Sequence, residues 1–188
     1  TAALVETLEV HYLANRDRAL AFGLLTDLRD AAEERLPGDE RLVQVARDGI
    51  EALNARYRGR DGEDRFFLFH RARSWNPRER CWMGWERKRG KLENLNALLR
   101  DEADGAFATL VGDVGVLQGT RYVITIDTDT SLPLGVARRL VATLAHPLNV
   151  ARYDAARGRV VDGYGILQPR VSPGLPGASR SRYARMFS

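Results

Sequence analysis

Two carboxylates one residue apart, Asp127 and Asp129, close an apolar, β-branched run that starts at Arg121 and reads Tyr-Val-Ile-Thr-Ile from 122 to 126. In an extended segment residues i and i+2 point to the same side, so the pair can converge on one cation or one set of hydroxyls. Carboxylate oxygens are hard donors. Mg²⁺ or Mn²⁺ is commonly held by one or two of them while a substrate diphosphate completes its shell. The chemistry indicated is therefore that of a nucleotide or a phosphate ester. A plainer role for the same stretch is a turn into a helix, with Ser131 as its cap and Pro133 in its first turn. The preceding strand favours the site, because ligands of open α/β sheets sit outside the carboxyl ends of strands.

A second candidate is cationic. Arginines are scattered among acids over most of the chain, yet its only two lysines, Lys88 and Lys91, fall together in Glu86-Arg-Lys-Arg-Gly-Lys-Leu-Glu93. At a helix start, backbone N–H groups around Gly90, the helix dipole and a lysine could together hold a diphosphate. Asp27 and Asp30 follow an early apolar run, where a carboxylate accepts from a nucleobase N–H or a ribose hydroxyl, or else caps a helix with Thr26. Asn15, Arg16 and Asp17 form a similar rim after the first run. His11, His70 and His146 lack metal-ligand spacing and read as structural. No Ser-His-Asp order, Gly-x-Ser-x-Gly elbow or Walker loop is present.

The elements that must carry these residues follow from the apolar pattern. Leu8–Leu13 and Ala19–Leu25 read as two buried parallel strands. After Pro37-Gly38, a helical pattern runs through Leu42, Val45, Ala46, Ile50, Leu53 and Tyr57. Arg65–His70 reads as a strand, Trp82–Arg100 as a loop entering a helix, and Phe107–Val111 as a strand ahead of the one ending at Asp127. A helix from Pro133 to Ala145 stops at His146-Pro147. Arg152–Arg159 is turn-like, Val160–Val171 resembles an interrupted strand, and Ser172–Ala178 is irregular. Strands alternating with helices predict an α/β fold with a mainly parallel sheet.

At 188 residues and 44% apolar, the chain can bury one core, so residues 1–188 are expected to form a single domain. Net charge is +4 and the pI is near 9.6, but the interspersed acids favour a phosphorylated ligand or anionic lipid over nucleic acid. The cluster Arg180, Arg182 and Arg185 reads as a solvated face. No apolar run is long enough to span a bilayer, and no charged segment leads into an apolar signal core, so the chain reads as soluble. The single Cys81 excludes an internal disulfide and fits a reducing compartment.

Several blocks resemble the glycosyltransferase domain of bacterial cyclic β-1,2-glucan synthases. They are Tyr12–Asp17, Leu24–Asp27, Phe69-His-Arg, Trp75-Asn-Pro, Trp82–Leu92, Tyr122–Asp129, Leu144–Leu148 and Tyr164–Val171, and they span nearly the whole chain in order. The resemblance implies a GT-A-like (Rossmann-like) fold and an inverting transfer of glucose from UDP-glucose to a glucan acceptor. The parent enzyme would be embedded in the inner membrane, with this part on its cytoplasmic face. Carried over by position, Asp127 and Asp129 match the Asp-x-Asp metal and donor motif. Lys88 to Lys91 match a diphosphate-contacting segment, Asp27 lies near the uridine, and Gln168 borders the acceptor channel. The resemblance also leads one to expect a later Asp as general base and a Gln-x-x-Arg-Trp segment, neither of which follows Val171. A fragment is thus expected, with its base outside this chain and self-association through uncovered apolar surface as one consequence.

Two other readings compete. Ile126 to Thr130 also fits the strand–Asp-x-Asp–Thr pattern of haloacid-dehalogenase phosphatases, with Asp127 as nucleophile and Asp129 as acid/base. That motif usually opens its domain and needs later acidic metal ligands, whereas only Asp154 and Asp162 follow here. The other is a non-catalytic scaffold within a larger assembly.

Overall fold

The computed structural model describes residues 1–58, 62–102 and 105–170, and the chain divides after Ala137 into two compact units. The first contains α1 (Ala2–Ala14), β1 (Phe22–Asp27), α2 (Asp39–Tyr57), β2 (Phe66–Arg71), β3 (Ser74–Asn76), β4 (Cys81–Met83), α3 (Arg87–Leu99) and β5 (Thr109–Val111). α4 (Val136–Ala145) begins at its end, and the second unit adds the hairpin β6 (Arg152–Asp154) and β7 (Arg159–Asp162). The irregular stretch expected at 172–178 and the arginines at 180, 182 and 185 lie outside the described residues. No helix among the described residues is long and apolar enough to cross a membrane.

The central strand, β2, reads Phe-Phe-Leu-Phe-His-Arg and is buried at every position. Its alternating side chains feed two cores, as the period of two dictates. Phe66 and Leu68 join Ala46, Ile50 and Leu53 of α2 on one face, with Val5, Leu8 and Tyr12 of α1 packed alongside. Phe67 and Phe69 meet Phe107 and Leu117 on the other, covered by Leu95, Leu98 and Leu99 of α3. Each fully buried Phe or Leu is worth roughly 2 kcal/mol by transfer, so β2 is the anchor of the unit. Asn54 fastens α2 to the strand start, its Nδ2 donating to Phe66 O at 2.8 Å and its Oδ1 accepting from Phe66 N at 2.8 Å.

β1 lies parallel to β2 in the register Phe22↔Phe66 to Asp27↔Arg71, with α2 as the crossover. β5 pairs antiparallel on the other side of β2, Leu68 opposite Val111. Among the described residues the result is a mixed α/β unit whose three-stranded sheet runs β1-β2-β5, with one parallel and one antiparallel pair.

Three local expectations are corrected. Leu8–Leu13 is helical: Val5, Leu8 and Tyr12 recur at helical spacing and reach one core, a period that a six-residue apolar window conceals. Residues 121–126 alternate between exposed and half-buried as a strand would, but no ladder among the described residues includes them. Of the described residues 160–170 only Val160–Asp162 lie in a strand, and the turn-like 152–159 supplies its hairpin partner.

Candidate functional site

β1 and β2 end side by side at Asp27 and Arg71, both at the carboxyl end of the parallel pair. Arg71 grips Asp27 in two-pronged fashion, Nε to Oδ1 at 2.8 Å and Nη2 to Oδ2 at 3.1 Å. Its other N–H groups donate to Trp85 O (3.0 Å), Asn94 Oδ1 (2.9 Å) and Arg87 O (3.1 Å). All five guanidinium donors are thus satisfied, as a buried charge requires. The approach depends on glycine, because a Cβ on Gly84 would lie 2.6 Å from Asp27 Cγ.

What Arg71 holds is the entry to α3. Glu86 (φ 53°) and Arg87 (φ 43°) both adopt left-handed backbone, a conformation that costs non-glycine residues about 1 kcal/mol or more each. Arg71 accounts for how the turn persists, since it binds the carbonyls of Trp85 and Arg87 on either side. Gly90 is buried, its N–H donates to Glu86 O, and a Cβ there would collide with the Trp85 carbonyl. Gly90 therefore serves close backbone approach and not an open anion cradle. No side chain of Glu86 caps the helix start. Lys88 and Lys91, three apart and so on one face, project from this first turn.

The two lysines meet the two acidic segments. Lys91 Nζ lies 3.6 Å from Asp27 Oδ2, and the Lys88 ammonium pairs with Asp127 Oδ1 across 39 residues of sequence. Asp127 opens a turn, its carbonyl accepting from Thr130 N at 3.0 Å, so Asp127 and Asp129 share a tight turn and not a strand end. Both carboxylates are exposed.

The far side of this turn is clasped by the end of α1. Buried Asn15 donates through Nδ2 to Pro133 O at 3.2 Å and accepts at Oδ1 from Ala137 N at 3.1 Å. Ala14 O takes the Gly135 N–H at 3.0 Å, and His11 Nε2 accepts from Leu132 N at 3.4 Å. Burial holds the His11 imidazole below its ordinary pKa, which keeps it neutral and able to accept.

The donor chemistry suits a hard divalent cation: Asp127 and Asp129 present carboxylates on one turn, with the Thr130 hydroxyl 3.4 Å from Asp129 Oδ1. Of the other sequence candidates, Asp27 is committed to Arg71 and Lys91, and Asn15 to backbone. Arg16 stacks over Tyr12 and Tyr57 at 5.4 and 5.8 Å, and Asp17 Oδ1 accepts from Ala19 N at 3.0 Å. Both therefore belong to the exit of α1. Asp30 pairs with Arg87 at 2.9 Å. Gln168 lies in the second unit, exposed and outside any strand. Sequence reading missed Arg71, whose one signal is an arginine closing an otherwise apolar buried strand. It also assigned no clasping role to His11. The strand-borne Asp-x-Asp that a phosphatase needs is not formed among the described residues.

No family model matches the chain. Over 186 residues, 98% of its length, it is 46% identical to the cyclic beta-(1,2)-glucan synthase NdvB of Rhizobium meliloti (strain 1021). The chain spans only 6% of the length of that relative, so it is similar to a small segment of a much longer synthase.

Proposed function

We propose that this chain supplies the nucleotide-sugar side of a glycosyltransferase that builds cyclic β-1,2-glucan from UDP-glucose. The observation that carries the reading is the meeting of Lys88 with Asp127, which joins a basic helix start to an acidic turn at the carboxyl end of a parallel strand pair. The 46% identity to a cyclic glucan synthase supports the same reading.

In this reading Asp127 and Asp129 hold Mg²⁺ or Mn²⁺, and the ion, when bound, offsets charge on the departing diphosphate. Lys88 exchanges its carboxylate partner for a phosphate oxygen, and Lys91 and the uncapped first turn of α3 add positive potential beside it. Asp27 acts through Arg71 and Lys91 by fixing that turn, and Asn15 acts by fixing the acidic one. Arg16, Asp17 and Gln168 are assigned outer contacts to donor and acceptor. The base toward the acceptor hydroxyl and the membrane-embedded remainder belong to the longer synthase, which this part serves from the cytoplasmic face.

Calorimetric titration of UDP with and without Mn²⁺ tests the donor site. Binding that needs the metal, weakens for UMP and disappears in Asp129→Ala is expected. Metal-independent binding, unchanged binding in Asp129→Ala, or none in a folded sample refutes a donor site formed by this stretch.

A further inference from the structure

All three tryptophans of the chain lie between residues 75 and 85, and Trp85 is the most exposed of them at 52%. An indole left half in water loses apolar stabilisation, so its surroundings bear on what covers it. Trp85 borders a cavity of about 320 Å³ shared with Glu79, Glu86, Arg87, Lys88 and Arg89. That is the small end of ligand clefts, which start at roughly 300 Å³, and it has room for a sugar ring.

Two properties narrow the occupant. Every cation around the cavity already faces an acid: Arg87 meets Glu79 at 2.6 Å and Asp30 at 2.9 Å. Arg89 meets Glu93 at 3.0 Å and Glu86 at 3.8 Å, and Lys88 meets Asp127. With these cations paired to carboxylates, what the lining offers beside Lys88 is a dense set of donors and acceptors. The indole adds a flat apolar face. A neutral pyranose has matching surfaces, with C–H groups on its ring faces and hydroxyls around its edge.

The second property is rigidity. The Trp85 carbonyl accepts from buried Arg71 at 3.0 Å and rests against Gly90, where any Cβ would collide with it. The backbone is pinned while the side chain is left open to solvent. Ordering an already fixed platform costs little on binding, which is how preorganised sites gain affinity.

We propose that the cavity beside Trp85 is a subsite for a neutral glucosyl ring stacked on the indole, next to the turn that carries Lys88. It deepens the glycosyl-transfer reading but is tested apart from it. The ring has two possible sources, the donor's glucose or the end of a β-glucan acceptor. One arm titrates the β-1,2-linked glucose disaccharide without nucleotide, followed by tryptophan fluorescence and ligand-observed NMR. The other compares UDP-glucose with UDP.

Trp85→Ala is expected to weaken the disaccharide, or to erase the preference for UDP-glucose over UDP, by roughly tenfold. Trp85→Phe should retain most of the effect, and Trp75→Ala, outside the cavity lining, should leave it unchanged. UDP affinity reads the donor site and should be the same in Trp85→Ala as in the parent. If neither arm shows a sugar-dependent signal in the folded chain, or Trp85→Ala changes neither, the subsite is wrong. Disaccharide binding lost with Trp85 but without UDP binding would uphold the subsite and sink the donor site.

Discussion

Replacing Arg71 by Met tests whether one guanidinium couples the sheet to the basic turn. The change keeps most of the side-chain volume but leaves Asp27, only 13% exposed in its side chain, without its two-pronged partner. It also strips a donor from Trp85 O, Arg87 O and Asn94 Oδ1. Breaking a buried pair by removing one partner costs about 3–5 kcal/mol, and Lys91, 3.6 Å from Asp27, remains to offset part of that. A loss of about 3 kcal/mol is therefore expected, and with an m-value near 2 kcal/mol/M the urea midpoint should fall by about 1.5 M. Tryptophan fluorescence is a suitable assay, because Trp75, Trp82 and Trp85 all belong to the first unit. In an Asp27→Asn background no buried charge is left behind, so the same replacement should cost about 1–2 kcal/mol less. A midpoint shift under about 0.3 M, or equal losses in both backgrounds, would refute the coupling.

Lys88→Ala should separate the two ligands of the acidic turn: Mn²⁺ alone binds a few-fold more tightly because its competitor is gone, whereas UDP in the presence of Mn²⁺ binds more weakly, both read by calorimetry. Asn15→Ala removes the clasp on 133–137 and should cost about 2 kcal/mol, with faster amide exchange at Gly135 and Ala137 as the local sign. Burial lowers the pKa of both His11 and His70, so the unfolded chain binds more protons just below the ordinary histidine value. Stability should therefore be full above about pH 6.5 and fall as the solution is acidified toward 5, with a shallower slope in the His11→Gln/His70→Gln variant. Asp39 acts in a separate window. Its hydrogen bond from Arg73 holds its carboxyl below the usual range, so its contribution is present above about pH 4 and lost below it as that carboxyl protonates.

Local pattern was enough wherever an element's own residues carry its signal over sufficient length. The 3.6-residue repeat of Leu42 to Tyr57 marked α2, the Phe-rich run at 66–69 marked β2, and the leucines at 92–99 marked α3. Asp127, Asp129, Lys88 and Lys91 stand out as candidate ligands in the sequence because their types and spacing are local facts. Their meeting across 39 residues does not, because it depends on where α3 is pinned. The run at 121–126 and the partners of Asn15 and Asp27 share that cause. The run at 121–126 has the alternation of a strand, but a strand exists only through a hydrogen-bonding partner, and among the described residues the sheet runs no further than β5. The types of Asn15 and Asp27 suit a ligand, and the tertiary structure gives them partners in backbone and in Arg71. Their types show only what they can bond. Which partners they do bond is decided by burial, because a polar group removed from water must find its partner within the fold.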